Sequence, residues 1–223
     1  MKIAHLAPVL VPVLLALPLG SAATAAQEPD PLSRLDPSSR YAIEVMMDSA
    51  GRLGLPPEAL LSKTLEGIRK GAPSPRVVQV VRRYFGLLRD ARTALGPDAT
   101  LDELSAAAGA LLAGVDQSSL VRLQSSRKGR PILTPLVVLA DLVSRGVPST
   151  DASSAIIRWM QNGATESDFM GLWKGVEQDI ISGALPAAAL DRRAREFPGR
   201  ATPGSRLPPT GPTPQRSPEN PSS

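Results

Sequence analysis

The sequence predicts an all-α protein: an array of eight or nine short helices joined by tight Gly-x-Pro/Asp corners and followed by a disordered Pro-rich tail. Three observations predict it. First, a glycine followed by a small or apolar residue, and then by proline or a helix-capping residue, recurs along the chain. It is seen as Gly54-Leu55-Pro56, Gly71-Ala72-Pro73, Gly114-Val115-Asp116, Gly146-Val147-Pro148, Gly163-Ala164-Thr165 and Gly183-Ala184-Leu185-Pro186. Glycine suits the left-handed position just past a helix end, where a side chain would clash. The Pro, Ser, Thr or Asp that follows suits the start of the next helix. Second, the apolar residues between these corners repeat at helical spacing. Third, from Pro198 eight of the last 26 residues are proline, mixed with Ser, Thr and Gly, a composition that cannot bury a core.

The elements follow in order. Residues 27–36 read as a polar lead-in. Asp36-Pro37 opens the first helix, with Pro37 in the tolerated first turn, and Tyr41, Val45, Met46 and Leu53 can share its face. The second helix runs from Pro57 to Lys70, with a stripe of Leu60, Leu61, Thr64, Leu65 and Ile68. The third starts at Ser74-Pro75 and ends at Gly96. Its Val77, Val81, Tyr84, Leu88, Ala91 and Leu95 alternate spacings of four and three, a seam for packing on another helix. Thr100-Leu101-Asp102-Glu103 is a capping box for the fourth helix, whose buried face is read as Leu101, Leu104, Ala108 and Leu111.

Asp116 to Gln124 forms a short fifth helix, and Ser125 to Arg130 a basic break. Thr134-Pro135 opens a very apolar sixth helix through Leu136, Val137, Val138, Leu139, Leu142 and Val143, expected to be central. Ser149 begins a seventh helix with Ile156, Ile157, Trp159 and Met160. Thr165 begins an eighth with Phe169, Leu172, Trp173, Val176 and Ile180, and Ala187 to Glu196 is a basic ninth. Lys70-Gly71-Ala72-Pro73-Ser74 is matched 75 residues later by Arg145-Gly146-Val147-Pro148-Ser149. The match reads either as a duplicated helix-corner-helix unit or as a generic corner used twice. No short period recurs often enough to name a solenoid.

Residues 1–26 read as an export signal. Lys2 supplies the charged start, Ile3 to Leu19 is apolar but broken by Pro8, Pro12 and Pro18, and Ala23-Thr24-Ala25 gives a small-x-small cleavage pattern. The run is shorter than the roughly 20 residues of a spanning helix. Cleavage near Ala26 or Gln27 is therefore expected, leaving no transmembrane span and a periplasmic or secreted product. The helical domain is then 37–197 and the tail 198–223.

The sole histidine is His5, inside the signal, and the chain has no cysteine. With the signal removed, His-based triads, thiol nucleophiles and Cys/His zinc sites are excluded. A secreted domain without disulfides must rest on its core. No metal site and no cofactor is expected.

Charge is uneven. Residues 59–95 hold eight Lys/Arg against Glu66 and Asp90, a net of +6, while residues 131–190 hold three basic and six acidic residues, a net of −3. Arg76, Arg82, Arg83, Arg89 and Arg92 of the third helix are the candidate surface for an anionic partner. The competing reading is a solvated face neutralised by acidic segments elsewhere. Aromatic residues, at 3% of the chain, are too sparse for a stacking platform, and no nucleic-acid motif is present.

Four smaller signals remain in the sequence. Ser125-Ser126-Arg127-Lys128 resembles the S-x-x-K of penicillin-binding enzymes, but its S-D-N and K-T-G companions are missing. Leu207-Pro208-Pro209-Thr210-Gly211 resembles the sortase motif L-P-x-T-G, but no hydrophobic stretch follows it. Glu66 with Asp102 or Glu103 could form a carboxylate pair, and Trp159, Phe169 and Trp173 could line a groove or fill the core. These observations favour an exported, non-enzymatic helical module that binds a protein, with an envelope protein or an anionic polymer as partner. The alternative is a carboxylate-dependent hydrolase of envelope polysaccharide.

Overall fold

A computed structural model describes residues 30–196, and these are helical throughout apart from corners and loops. The chain divides between Pro31 and Leu32. Of the leading unit only Asp30 and Pro31 are described, and the second unit carries every α-helix of the described residues. The expected signal at 1–26, the tail at 198–223 and its Leu207–Gly211 motif lie outside the described residues. A short 3-10 turn, Pro31–Arg34, precedes α1 (Pro37–Arg52), α2 (Pro57–Arg69), α3 (Ser74–Leu95), α4 (Leu101–Ala113) and α5 (Gln117–Ser125). Then follow α6 (Leu133–Ser144), α7 (Ser149–Gln161), α8 (Glu166–Ile181) and α9 (Pro186–Arg195).

The corners set this order. All six predicted corner glycines have positive φ, from +65° at Gly54 to +107° at Gly114. In each, the residue after the glycine donates its N–H back to the carbonyl five residues earlier. Val147 to Leu142 (3.1 Å), Val115 to Ala110 (3.0 Å) and Ala164 to Trp159 (3.0 Å) are examples. This 6→1 bond satisfies a carbonyl that the helix end would otherwise leave unpaired. The donor is always apolar, and Leu55, Val115, Val147 and Ala164 are buried by the turn they close. Four helix starts also carry side-chain caps. Asp36, Thr100, Asp116 and Thr165 each accept a backbone N–H in the first turn, and Thr100 with Glu103 completes the expected capping box.

Two helices organise the packing. α3 lies against α1, α2, α4 and α5, while α6 lies against α4, α7 and α8. α4 joins the two groups, and its Ala107, Ala108 and Ala110 are fully buried. Small side chains there permit close helix approach. The predicted seam of α3 is buried along its length, as are Leu136, Leu139 and Leu142 of α6.

Four details of the sequence reading need correction. In α1 the buried residues are Ser39, Ile43, Met46 and Ala50, while Tyr41, Val45 and Leu53 are exposed. Both sides of this helix carry apolar residues, and α2 and α3 cover only one of them. In α4 Leu101 is exposed at the first turn, whereas Glu103 is buried. In α6 Val137 points outward and Val143 is half-buried against the core. The lead-in is not wholly polar in role, because Leu32 and Leu35 are buried.

Candidate functional site

A cleft lies where α2, α3 and the C-terminal end of α4 meet. It has a volume of ≈ 360 Å³. Lys63 and Glu66 of α2 and Lys70 at its C-cap follow spacings of three and four, so they share one face. Glu66 accepts from Lys63 Nζ at 2.8 Å and from Lys70 Nζ at 2.6 Å. The two ammonium groups hold its carboxyl down at about 2. Glu66 is therefore a fixed anion flanked by two cations.

Gly67 brings α2 close to α3. A Cβ at this position would lie 2.9 Å from Cγ2 of Val77, which is itself buried. Glycine here removes a side chain that would hold the helices apart. From α3, Arg76 and Arg83 stand seven residues apart at the cleft, with Val77, Val80 and Tyr84 between and beside them. Tyr84 donates its hydroxyl to the Ser105 carbonyl at 3.3 Å, and burial pushes its phenol pKa up. Its ring carries Lys63 Nζ at 5.6 Å from the centroid, a cation–π contact. Leu112 of α4 completes an apolar floor. Val80 and Leu112 stay 41% and 43% exposed, so this floor is not covered by the fold.

Four cations and one carboxylate thus surround an apolar surface. Arg76 donates to the neutral amide of Gln79 at 2.6 Å. Among the described residues, no carboxylate forms an ion pair with Arg76, Arg82, Arg83 or Arg89.

The five arginines singled out from the sequence separate into three groups. Arg76 and Arg83 line the cleft. Arg82 and Arg89 are exposed and take no part in it. Arg92 turns back onto the backbone, donating to the carbonyls of Gly54 (2.5 Å) and Pro97 (2.9 Å), so it braces the α1–α2 corner. Lys63, Lys70, Val80 and Leu112 were not singled out as site residues in the sequence. The seven-residue spacing of Lys63 and Lys70, equal to that of Arg76 and Arg83, was the available signal.

The other candidates are structural. Glu103 accepts the Ile132 backbone N–H at 3.1 Å and faces Arg127 Nη2 at 3.5 Å, tying the start of α4 to the α5–α6 loop. Neither Glu103 nor Asp102 lines the cleft with Glu66. In the basic break, Arg130 donates to the Met160 and Ala164 carbonyls and so braces the α7–α8 corner. Ser125 ends α5 rather than starting a helix, and its hydroxyl donates to the Val121 carbonyl at 2.9 Å. Trp159 and Phe169 are buried with ring centroids 6.1 Å apart. Trp173 is half-buried and donates Nε1 to Asp141.

Among the described residues no group of three or more Asp, Glu, His or Cys is placed to hold a metal ion, and no helix is long and apolar enough to cross a membrane. No family model, no curated protein and no solved structure matches this chain.

Proposed function

We propose that this chain is a non-enzymatic binding module, exported to the cell envelope or beyond it, that holds a protein partner in the α2–α3–α4 cleft. The observation that carries the reading is an apolar floor in which Val80 and Leu112 stay exposed beside buried Val77 and Tyr84, set among Lys63, Lys70, Arg76 and Arg83. Apolar contact supplies affinity, and the flanking charge supplies orientation and partner choice. The hydrolase alternative asks for two carboxylates about 5–9.5 Å apart, one of them able to give up a proton to the leaving group. Among the described residues Glu66 is the one carboxylate lining this cleft, and with its pKa at about 2 it has no proton to give near neutrality.

The test is capture from an envelope fraction by the immobilised chain, beside the Arg76→Glu/Arg83→Glu variant. A protein species retained by the parent and lost by the variant is the expected result. Identical retention by both would refute a cleft-based function.

A further inference from the structure

We infer that the occupant of the cleft is an acidic amphipathic helix of a partner protein; this rests on the binding reading above and names the partner's chemistry. Lys63 of α2 and Lys70 at the C-cap of α2 are seven residues apart, and Arg76 and Arg83 are seven apart on α3. Seven residues are two helical turns, about 10.5 Å along the axis. Each lip of the cleft therefore offers two cations at two-turn separation, with apolar Val77, Val80, Tyr84 and Leu112 between the lips. A helix presents the complement of that pattern. Its apolar residues at i, i+3 or i+4, and i+7 meet the floor, and Asp or Glu at seven-residue intervals along both flanks meet the lips.

Other occupants leave part of the pattern unanswered. A single-headed anionic amphiphile neutralises one end of the cleft and leaves the cations two turns away unpaired. An anionic polymer without an apolar face leaves Val80 and Leu112 in water. The chain's own C-terminal segment carries Arg200, Arg206 and Arg216 against Glu219, which repeats the charge of the cleft rather than opposing it. The lips are also unequal. Glu66 already offsets one of the two lysines of α2, whereas Arg76 and Arg83 have no carboxylate partner among the described residues. The more acidic flank of the bound helix therefore lies along α3.

The test uses three probes on the full chain. They are a labelled monomeric helical peptide of roughly 18 residues with Leu on one face and Glu on both flanks, its twin with Lys for every Glu, and dodecanoate. The acidic peptide is expected to bind saturably at one per chain, and its Lys twin at least about tenfold more weakly. Arg76→Glu/Arg83→Glu should weaken the acidic peptide at least about tenfold, and Val80→Gln several-fold, with thermal unfolding unchanged in both because these side chains are exposed. Equal binding of the twin, or full affinity in the double reversal, overturns the inference. So does dodecanoate binding with the peptide silent, or a dimer of this chain that the double reversal dissolves. No binding by either peptide overturns the inference alone, because the envelope-fraction experiment tests the binding reading without these probes.

Discussion

Arg92 of α3 donates from Nη2 to the carbonyl oxygen of Gly54, 38 residues earlier, at 2.5 Å. The same guanidinium reaches the Pro97 carbonyl through Nη1, so one side chain fastens the end of α1 to the end of α3. Arg130 makes the equivalent brace on the α7–α8 corner. Hydrogen bonds from a charged group are worth more than neutral ones, and half-exposure discounts them. Arg92→Ala should therefore lower unfolding free energy by about 1–2 kcal/mol in urea titration. Arg82→Ala and Arg89→Ala, exposed on the same helix, should stay within about 0.5 kcal/mol of the parent. Equal effects at all three positions would mean that the brace contributes nothing.

Two glycine-to-alanine changes should destabilise for different reasons. At Gly146, φ is +90°, and an added Cβ would meet only Pro186 Cγ at an ordinary 3.6 Å. The cost there is backbone strain, about 1 kcal/mol or more. Gly67 sits in regular helix, where alanine alone would gain up to about 1 kcal/mol. Its Cβ would instead press on Val77 at 2.9 Å, and overpacking of this kind costs about 1–3 kcal/mol. Gly67→Ala should thus be net destabilising in denaturant unfolding and should weaken cleft ligands. A stabilised Gly67→Ala would show that α2 and α3 do not approach closely here.

The core of α6 gives a contrast within one helix. Leu139 is 0% exposed and Val137 is 51% exposed. Leu139→Ala should cost about 2–5 kcal/mol, whereas Val137→Ala should cost well under 1. A change below half a kcal/mol at Leu139 would place this helix at the surface.

How much of this was legible in the sequence depends on whether the deciding contact was local. The corners were legible because Gly-x-Pro and Gly-x-Asp encode a left-handed residue and a cap within five positions. The α3 seam was legible because every fourth or third residue is apolar and the flanks are charged. The face of α1 was not, since Tyr41 and Val45 compete with Ile43 and Met46, and only the neighbouring α2 and α3 decide between them. The cleft was partly legible. Arg76 and Arg83 were read as part of one basic surface, but the notch at Gly67 and the placing of Leu112 beside Val80 come from three helices crossing. Arg92 was grouped with the candidate anionic-partner surface because nothing near it in sequence reveals the Gly54 carbonyl.

Acid titration should expose the Lys63–Glu66–Lys70 trio. The paired lysines lower the Glu66 carboxyl from its ordinary 4.5 to about 2. A group depressed in the folded state contributes stability that is full above its unfolded pKa and lost as pH falls through its folded one. The trio's contribution should therefore fade between about pH 4.5 and 2, and Glu66→Gln should flatten stability over that window. Carboxyl carbon NMR is the direct measurement. Its midpoint for Glu66 should return toward 4.5 in a Lys63→Met/Lys70→Met variant. A parent midpoint already near 4.5 would show that the lysines do not engage it.

The two basic columns of α3 can be separated by the ligand used to probe them. Arg76 and Arg83 line the cleft, while Arg82 and Arg89 face solvent without it. A purely anionic polymer responds to the summed field of the face, so both columns should matter to it. Its retention should fall steeply with salt, because exposed charges are screened over about 8–10 Å at ordinary ionic strength. On such a column, Arg82→Glu/Arg89→Glu and Arg76→Glu/Arg83→Glu should elute early by similar amounts. Each pair changes net charge equally, and none of the four pairs with a carboxylate among the described residues. A ligand with both acidic and apolar groups responds differently, because its apolar face must reach Val80 and Leu112. For that ligand only the Arg76/Arg83 reversal should remove binding, while the Arg82/Arg89 reversal should slow association without abolishing it. Retention on the polymer that survives both reversals and high salt would remove electrostatics from the account of this surface. Equal loss of the amphipathic ligand in both variants would remove the cleft.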